Sequence, residues 1–252
     1  MMRVLICGAN GRMGRVLSEH ISRHKSCETV AGIDPAAQEN RGFPVFTSFE
    51  ACTVTADVIV DFSGPSALNA LLEYALSRNM PLVIATTGFS PEQTDAIKKA
   101  SEMIPVFFTA NMSLGVNLML SLAKTAAKVL GDGFDVEIIE KHHNQKVDAP
   151  SGTALMLAEA VSSVLSYESR HSYGRGPQSG RRDKSEIGIH AVRGGTITGE
   201  HDVIFAGPDE TLVISHRAAS REVFAAGAVN AALFLYGKAP GMYSMADLVG
   251  GM

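Results

Sequence analysis

Short apolar runs alternate with stretches of helical spacing through the first half of the chain. Residues 4–7, Val-Leu-Ile-Cys, predict a buried strand, and residues 12–24 predict a helix. A second strand is expected over 29–33 and a third over 57–62, Asp-Val-Ile-Val-Asp-Phe. Helical spacing returns over 65–77, followed by a strand over 81–85, a helix over 91–101 and a strand over 104–108. Apolar strands joined by helices and short connections predict a parallel sheet covered on both faces.

The rhythm then changes. A long amphipathic helix is predicted over 114–130 and a strand over 135–140, then a polar stretch and a helix over 151–165. Residues 170–184 hold Arg170, Arg175, Arg181, Arg182 and Lys184 among glycines and serines. That segment reads as a flexible loop, a flap or subunit contact, too polar for a core element. Strand-like runs follow over 186–192, 201–205 and 211–215. Strands without intervening helices suggest a second, mixed α+β domain. A helix over 220–236 and a short tail complete the chain.

Composition narrows the function classes. The chain has 252 residues, 46% apolar and 19% charged, enough for one large domain or two small ones with packed cores. Lys and Arg number 22 against 26 acids, a formal charge of −4, so no basic field marks a dedicated nucleic-acid binder. No apolar run approaches the ~18–20 residues of a membrane span. The opening residues are apolar only briefly before Gly8 and do not read as a signal peptide. Cys7, Cys27 and Cys52 lack CxxC spacing. Neither a disulfide framework nor a zinc knuckle is expected, and a reducing cytoplasm is the expected location.

Candidate chemistry begins after the first strand. Gly8, Ala9, Asn10, Gly11, Arg12, Met13 and Gly14 form a GxxGxxG turn, a variant of the dinucleotide fingerprint. Glycine there permits positive φ and close backbone approach to a pyrophosphate, and the following helix offers free N–H groups. Asp34, at the end of the second strand, is placed to accept hydrogen bonds from ribose hydroxyls. Its charge repels a 2′-phosphate, whereas Arg12 and Arg15 can neutralise one; NADH is expected to bind at least as well as NADPH. Two more loops follow predicted strands: Ala85, Thr86, Thr87, Gly88 and Phe89, then Thr109, Ala110, Asn111, Met112 and Ser113. Their polar groups suit a nicotinamide ribose and carboxamide, although ordinary turn chemistry explains them equally well.

The densest constellation runs from Glu140 through Lys141, His142, His143, Lys146, Asp148, Pro150, Ser151, Gly152 and Thr153 to Ala154. It reads as a loop between a strand and a helix. Histidine carries or donates a proton near neutrality, at a reference pKa of ~6.5. Lys146 can hold a carboxylate or donate a proton. The small residues Ser151, Gly152 and Thr153 open a helix and expose N–H groups suited to a carboxylate, with Ser151 as its cap. The piece looks like a receptor for an anionic substrate beside a proton donor. A metal site lacks a third ligand at suitable spacing, and no GxSxG elbow makes Ser151 a nucleophile. His190, His201 and His216 sit in or beside strand-like runs and read as core or interface histidines.

These residues together resemble the dihydrodipicolinate reductase family. The resemblance rests on the Gly8–Gly14 turn, Ala85–Phe89, Ala110–Ser113, above all Glu140–Ala154, and also Gly199-Glu200-His201 and Phe224–Val229. It implies a Rossmann-like parallel-sheet cofactor domain over 1–112, completed by 220–252. It further implies a mixed α+β domain over 113–219 that binds substrate and builds a homotetramer. The implied activity is NAD(P)H-dependent reduction of 4-hydroxy-tetrahydrodipicolinate in diaminopimelate and lysine biosynthesis, by hydride transfer to C4 and protonation at C3. By position, His142 and Lys146 would be the proton donors. His143, Lys146, Ser151, Gly152 and Thr153 would hold the dicarboxylate substrate. Gly8 to Met13, Asp34, Ala85 to Thr87 and Thr109 to Met112 would contact NADH or NADPH. Two departures stand out: Ala85 where many members have Gly, and Pro35 where many carry Arg after the ribose-binding acid. Two other readings compete. One is a different two-domain NAD(P)-dependent dehydrogenase, and the other a non-catalytic NAD-binding redox sensor that leaves His142 and Lys146 idle.

Overall fold

The computed structural model describes residues 1–36 and 42–250. It divides into two compact units, one of Met1–Leu114 with the stretch from Arg221 onward and one of Gly115–Ser220.

The first unit alternates strand and helix: β1 Met2–Cys7, α1 Arg12–Ser22, β2 Cys27–Ile33, β3 Val45–Phe46 and β4 Val58–Asp61. A 3-10 turn at Pro65–Ala67 leads into α2 Leu68–Ser77, then β5 Leu82–Ile84, α3 Pro91–Ser101 and β6 Pro105–Phe108. The second unit follows with α4 Leu114–Leu130, β7 Asp135–His142, α5 Gly152–Ser162, β8 Arg170–Tyr173, β9 Glu186–Arg193, β10 Glu200–Ala206 and β11 Thr211–Arg217. The chain then returns to the first unit with α6 Glu222–Leu235, β12 Gly241–Tyr243 and α7 Met245–Gly250.

The first sheet is parallel throughout, in the order β12-β6-β5-β4-β1-β2-β3. Strand alternation gives each face its own core. Val4, Ile6, Val58, Val60, Val83 and Phe107 point to one face, under α1 and α6 residues such as Leu17, Ile21 and Ala228. Leu5, Ile59, Leu82, Ile84 and Val106 point to the other, under Leu71, Leu72, Ile97 and Ala100 of α2 and α3. Burying both faces is why these strands read as continuous apolar runs. Chain order reverses between β1 and β4, which makes the crevice at their carboxyl ends the topological switch point.

The second sheet is mixed, in the order β11-β10-β7-β9-β8. β10 is antiparallel to both neighbours, whereas β7, β9 and β8 are mutually parallel. Its covered face places Val136, Ile138, Ile187, Ile189, Val203 and Phe205 against α4 and α5.

Three sequence expectations are corrected. Residues 170–184 do not form a loop throughout. Arg170–Tyr173 pairs with β9, and ion pairs of Arg170 and Arg175 with Glu186, and of Arg182 with Asp135 and Glu137, tie the segment to the sheet. The strand expected over 135–140 runs on to His142, because Lys141 pairs with Glu200 and His142 with Arg193 on its two flanks. The helix expected to reach 165 ends at Ser162. The short tail adds two elements that the sequence pattern does not show: β12 joins the sheet edge beside β6, and α7 buries Met245 and Leu248.

Candidate active site

The glycine turn sits at the switch point. Gly8 has φ +77°, and a Cβ there would lie 2.7 Å from the Phe62 carbonyl oxygen at the end of β4. A Cβ on Gly14 would lie 2.2 Å from the Gly8 carbonyl oxygen. α1 therefore begins as close to the turn as backbone allows. Its N-cap, Gly11, makes no side-chain capping bond, and no acidic residue occupies the first turn. The Ser90 and Ser151 hydroxyls cap α3 and α5 instead. An uncapped helix start leaves N–H groups and partial positive charge for a phosphate. Arg12 is exposed, Met13 half-buried and Ala9 buried.

Asp34 is buried at the end of β2 and accepts hydrogen bonds from the backbone N–H groups of Asn10, at 2.9 Å, and Ala36, at 3.0 Å. It thus braces the glycine turn directly. Two such bonds leave a carboxylate with further acceptor capacity for a ribose hydroxyl.

The two remaining loops fall where expected, after β5 and β6. Ala85, Met13, Ala110, Asn111 and Met112 line one cavity of about 330 Å³ with Phe62, Arg221 and Phe224. Thr86 is buried, and its hydroxyl has no partner among the described residues. An orphaned hydroxyl costs free energy unless a ligand or water satisfies it. Thr87 is exposed. The Thr109 hydroxyl donates to the Asn111 carbonyl at 3.2 Å, and Asn111 Oδ1 accepts from Ser113 N–H at 2.9 Å, so this loop is self-braced. Uncapped helix, buried acid, orphaned hydroxyl and lined cavity fit a dinucleotide. Phe62, Arg221 and Phe224 were not identified from sequence. Nothing local marks them, and the latter two enter only because the chain returns to this unit.

The second constellation is built on the covered face of the mixed sheet. Residues two apart on a strand share a face, so Glu140 and His142 both project there. Register adds their neighbours: His201 lies opposite Glu140, Arg193 opposite His142, and His216 opposite His201. Glu140 is fully buried. Arg193 grips its carboxylate with two bonds of 2.7 Å, His142 Nδ1 lies 2.6 Å from Oε2, and the Ser151 N–H donates to Oε1 at 3.0 Å. Burial opposes the charge on Glu140, but these bonds outweigh it and hold its pKa below the usual carboxylate value. His142 is pulled below the ordinary histidine value, by burial first, with Lys146 and Arg193 adding to this and Glu140 opposing it.

The Ser151 hydroxyl bonds His201 Nε2 at 2.9 Å and caps α5 through the Ala154 N–H. His201 is buried, and its ring stands edge-on to His142 at 5.2 Å between centroids. It is a core histidine, as read from sequence, but one in contact with the candidate site. Lys146 Nζ pairs with Asp148 at 2.8 Å, and its side chain is only 20% exposed, so it is not a freely solvated charge. His143 is half-buried, Gly152 is exposed, and Thr153 is half-buried in the first turn of α5. The structure thus gathers Glu140, His142, Ser151, Arg193 and His201 into one network. Sequence gave no sign of Arg193, and only a strand extended to residue 142 with its partner register reveals it.

Burial, then the charge of His142, lowers the His201 pKa to about 4. The unfolded chain binds that proton near the ordinary value of ~6.5, so stability is lost as pH falls from there towards 4. The loss amounts to about 3 kcal/mol across the window. His201→Gln should flatten this slope, measured by urea unfolding at successive pH values; an unchanged slope would contradict it.

The comparisons with known proteins agree with this architecture. Residues 2–112 match the family model for the N-terminus of dihydrodipicolinate reductase, and residues 115–249 match that for its C-terminus. The chain is 52% identical over 249 residues to a 4-hydroxy-tetrahydrodipicolinate reductase of Caldanaerobacter subterraneus subsp. tengcongensis, covering 99% of this chain and 98% of that one. It is 49% identical to one from Clostridium tetani, covering 97% and 96%. A dipicolinate-bound dihydrodipicolinate reductase from Paenisporosarcina sp. TG-14 superposes with a TM-score of 0.81 at 28% identity, covering 98% of each chain. A probable dehydrogenase from Thermotoga maritima, at 11% identity and a TM-score of 0.64, shares the fold alone. With both family models and full-length relatives matching in order, the chain belongs to the dihydrodipicolinate reductase family of NAD(P)H-dependent oxidoreductases.

Proposed function

We propose that the chain reduces 4-hydroxy-tetrahydrodipicolinate to tetrahydrodipicolinate, in diaminopimelate and lysine biosynthesis, with His142 as proton donor. One observation carries the assignment of roles. His142 is held by a buried carboxylate, and that same carboxylate fixes the start of α5. Proton donor and anion-receiving helix terminus are therefore set by one group.

Gly8, Ala9, Asn10, Gly11, Arg12 and Met13 would hold the cofactor pyrophosphate, and Asp34 the adenosine ribose. Ala85, Thr86, Thr87 and Thr109 to Met112 would hold the nicotinamide end. When bound, the reduced nicotinamide supplies a hydride to C4 of the substrate. The chain's own residues do the rest. The first turn of α5 at Gly152 and Thr153 receives one carboxylate, aided by its partial positive charge. Ser151 holds that turn in place as its cap. His143 and Lys146 add cationic contacts. As C4 is reduced, negative charge develops on the ring enamine, and nearby cations stabilise that state more than the ground state. His142 Nε2 then delivers a proton to C3. Lys146 stands as the second donor, and must exchange Asp148 for the substrate carboxylate.

Dipicolinate, the ligand of the Paenisporosarcina relative, serves as a probe. Lys146→Ala should weaken its inhibition about tenfold and lower both kcat and substrate affinity. Unchanged inhibition would remove Lys146 from carboxylate binding. The buried Asp34 disfavours a 2′-phosphate, so the Michaelis constant for NADH should be no higher than that for NADPH. A tenfold preference for NADPH would contradict this.

The same reading places the enzyme in the cytoplasm as a homotetramer. Exposed apolar surface supports the assembly: edge strand β11 leaves Leu212 and Val213 at 42% and 49% exposure, area that a subunit contact would cover. No helix among the described residues is long and apolar enough to cross a membrane.

A further inference from the structure

We infer that Glu140, clamped by Arg193, is a positioning residue that fixes His142 with Nδ1 protonated and Nε2 turned to the reacting carbon. The inference rests on the assignment of His142 as proton donor.

The geometry supports it from three sides. Glu140 Oε2 lies 2.6 Å from His142 Nδ1, and a carboxylate can only accept there, so Nδ1 must carry the hydrogen. Both Glu140 oxygens are bonded by Arg193, which also donates to the Asp148 carbonyl at 2.8 Å. The carboxylate therefore cannot rotate away, and the loop from His142 to Ser151 is tied at both ends to the same pair. On the far side of the ring, a Cβ at Gly199 would lie 3.1 Å from Nε2. Glycine at that position keeps the proton-carrying nitrogen uncovered.

The proton balance follows. In the imidazolium, Nδ1–H points to Glu140 and Nε2–H to the substrate. Breaking Nε2–H and forming C3–H leaves a neutral Nδ1–H imidazole, with Glu140 ionised throughout. Buried as it is, Glu140 keeps its charge through Arg193. The charged and titratable groups facing His142 are Glu140 on its own strand, Arg193 on β9, His201 on β10 and Lys146 on the loop. Among these Glu140 is the only anion, and so the one that favours the imidazolium. The arrangement follows the logic of acid–histidine pairs in which the acid orients and does not itself transfer the proton.

Two measurements test this. In the ¹⁵N-histidine spectrum of the intact wild-type enzyme, neutral His142 should appear as the Nδ1–H tautomer; the Nε2–H tautomer would overturn the inference whatever the variants do. Glu140→Gln, whose amide oxygen can still accept from the Ser151 N–H and so keep the start of α5 in place, should lower kcat about 10–100-fold while substrate KM stays within about threefold, and should shift the alkaline limb of the kcat profile to lower pH. In a His142→Gln background the same change should cost less than about twofold, because Glu140 then has no proton donor to position. An equal loss in both backgrounds would mark Glu140 as merely structural and overturn the inference alone. Wild-type turnover in His142→Gln by itself would overturn the proton-donor assignment, and the inference with it.

Discussion

Replacing His142 with glutamine is expected to lower kcat by ~10²–10⁴-fold, the usual value of a positioned acid. Substrate KM should change far less. Glutamine keeps a polar group of similar reach but cannot supply a proton to carbon. Binding depends instead on the start of α5 and on Lys146, which the substitution leaves in place. The pH profile adds a second signature. Burial holds the His142 pKa below its ordinary value in the free protein. A bound dicarboxylate brings negative charge beside the ring and raises it. Activity needs the protonated form, so it falls as pH rises through that pKa. The fall in kcat should therefore lie at higher pH than the fall in kcat/KM. Steady-state kinetics across pH for both proteins checks each point. A variant with wild-type kcat would place the chemistry elsewhere.

Gly14→Ala should be the most damaging single methyl group in the cofactor turn. Its Cβ would stand 2.2 Å from the Gly8 carbonyl oxygen and 2.7 Å from that of Ala9. Both are backbone atoms of the turn and cannot swing aside. Either α1 shifts away from β1 or the turn deforms, and the free N–H groups at Arg12 and Met13 move with it. The expected cost is about 3 kcal/mol of stability, the upper end of ordinary overpacking. Affinity for NADH should drop at least about tenfold, since phosphate binding depends on those N–H directions. Gly133→Ala is the control: no atom lies within 4 Å of where its Cβ would sit. It should change stability by no more than about 0.5 kcal/mol. Urea unfolding and fluorescence titration with NADH measure both effects. Unaltered cofactor affinity in Gly14→Ala would mean that the turn is only a packing device.

The elements read correctly from sequence are those whose apolar pattern is long and locally complete. The doubly buried strands β1, β4, β5 and β6 and the helices α3 and α4 carry their own signal. What failed was structure held by distant partners. Arg170–Tyr173 has no apolar alternation and is a strand because β9 pairs with it and Glu186 binds Arg170. Val45–Phe46 and Gly241–Tyr243 are too short to show a period. The site divides the same way. The glycine turn and the stretch from Glu140 to Ala154 are contiguous and visible in sequence. Arg193 lies 53 residues from the glutamate it clamps, and His201 lies 50 from the serine it bonds. Only strand register brings them together. Glu140 was visible as an acid in the loop, but its role depends on a strand that continues two residues beyond the expected end.

The most direct test is a coupled assay. The condensation product of aspartate semialdehyde and pyruvate is supplied with NADH or NADPH, and the absorbance of the reduced nicotinamide is followed. The account predicts substrate-dependent oxidation of the cofactor, inhibited by dipicolinate and nearly abolished in the His142 variant. A purified, folded protein that binds the cofactor yet leaves it reduced in the presence of that substrate would contradict it.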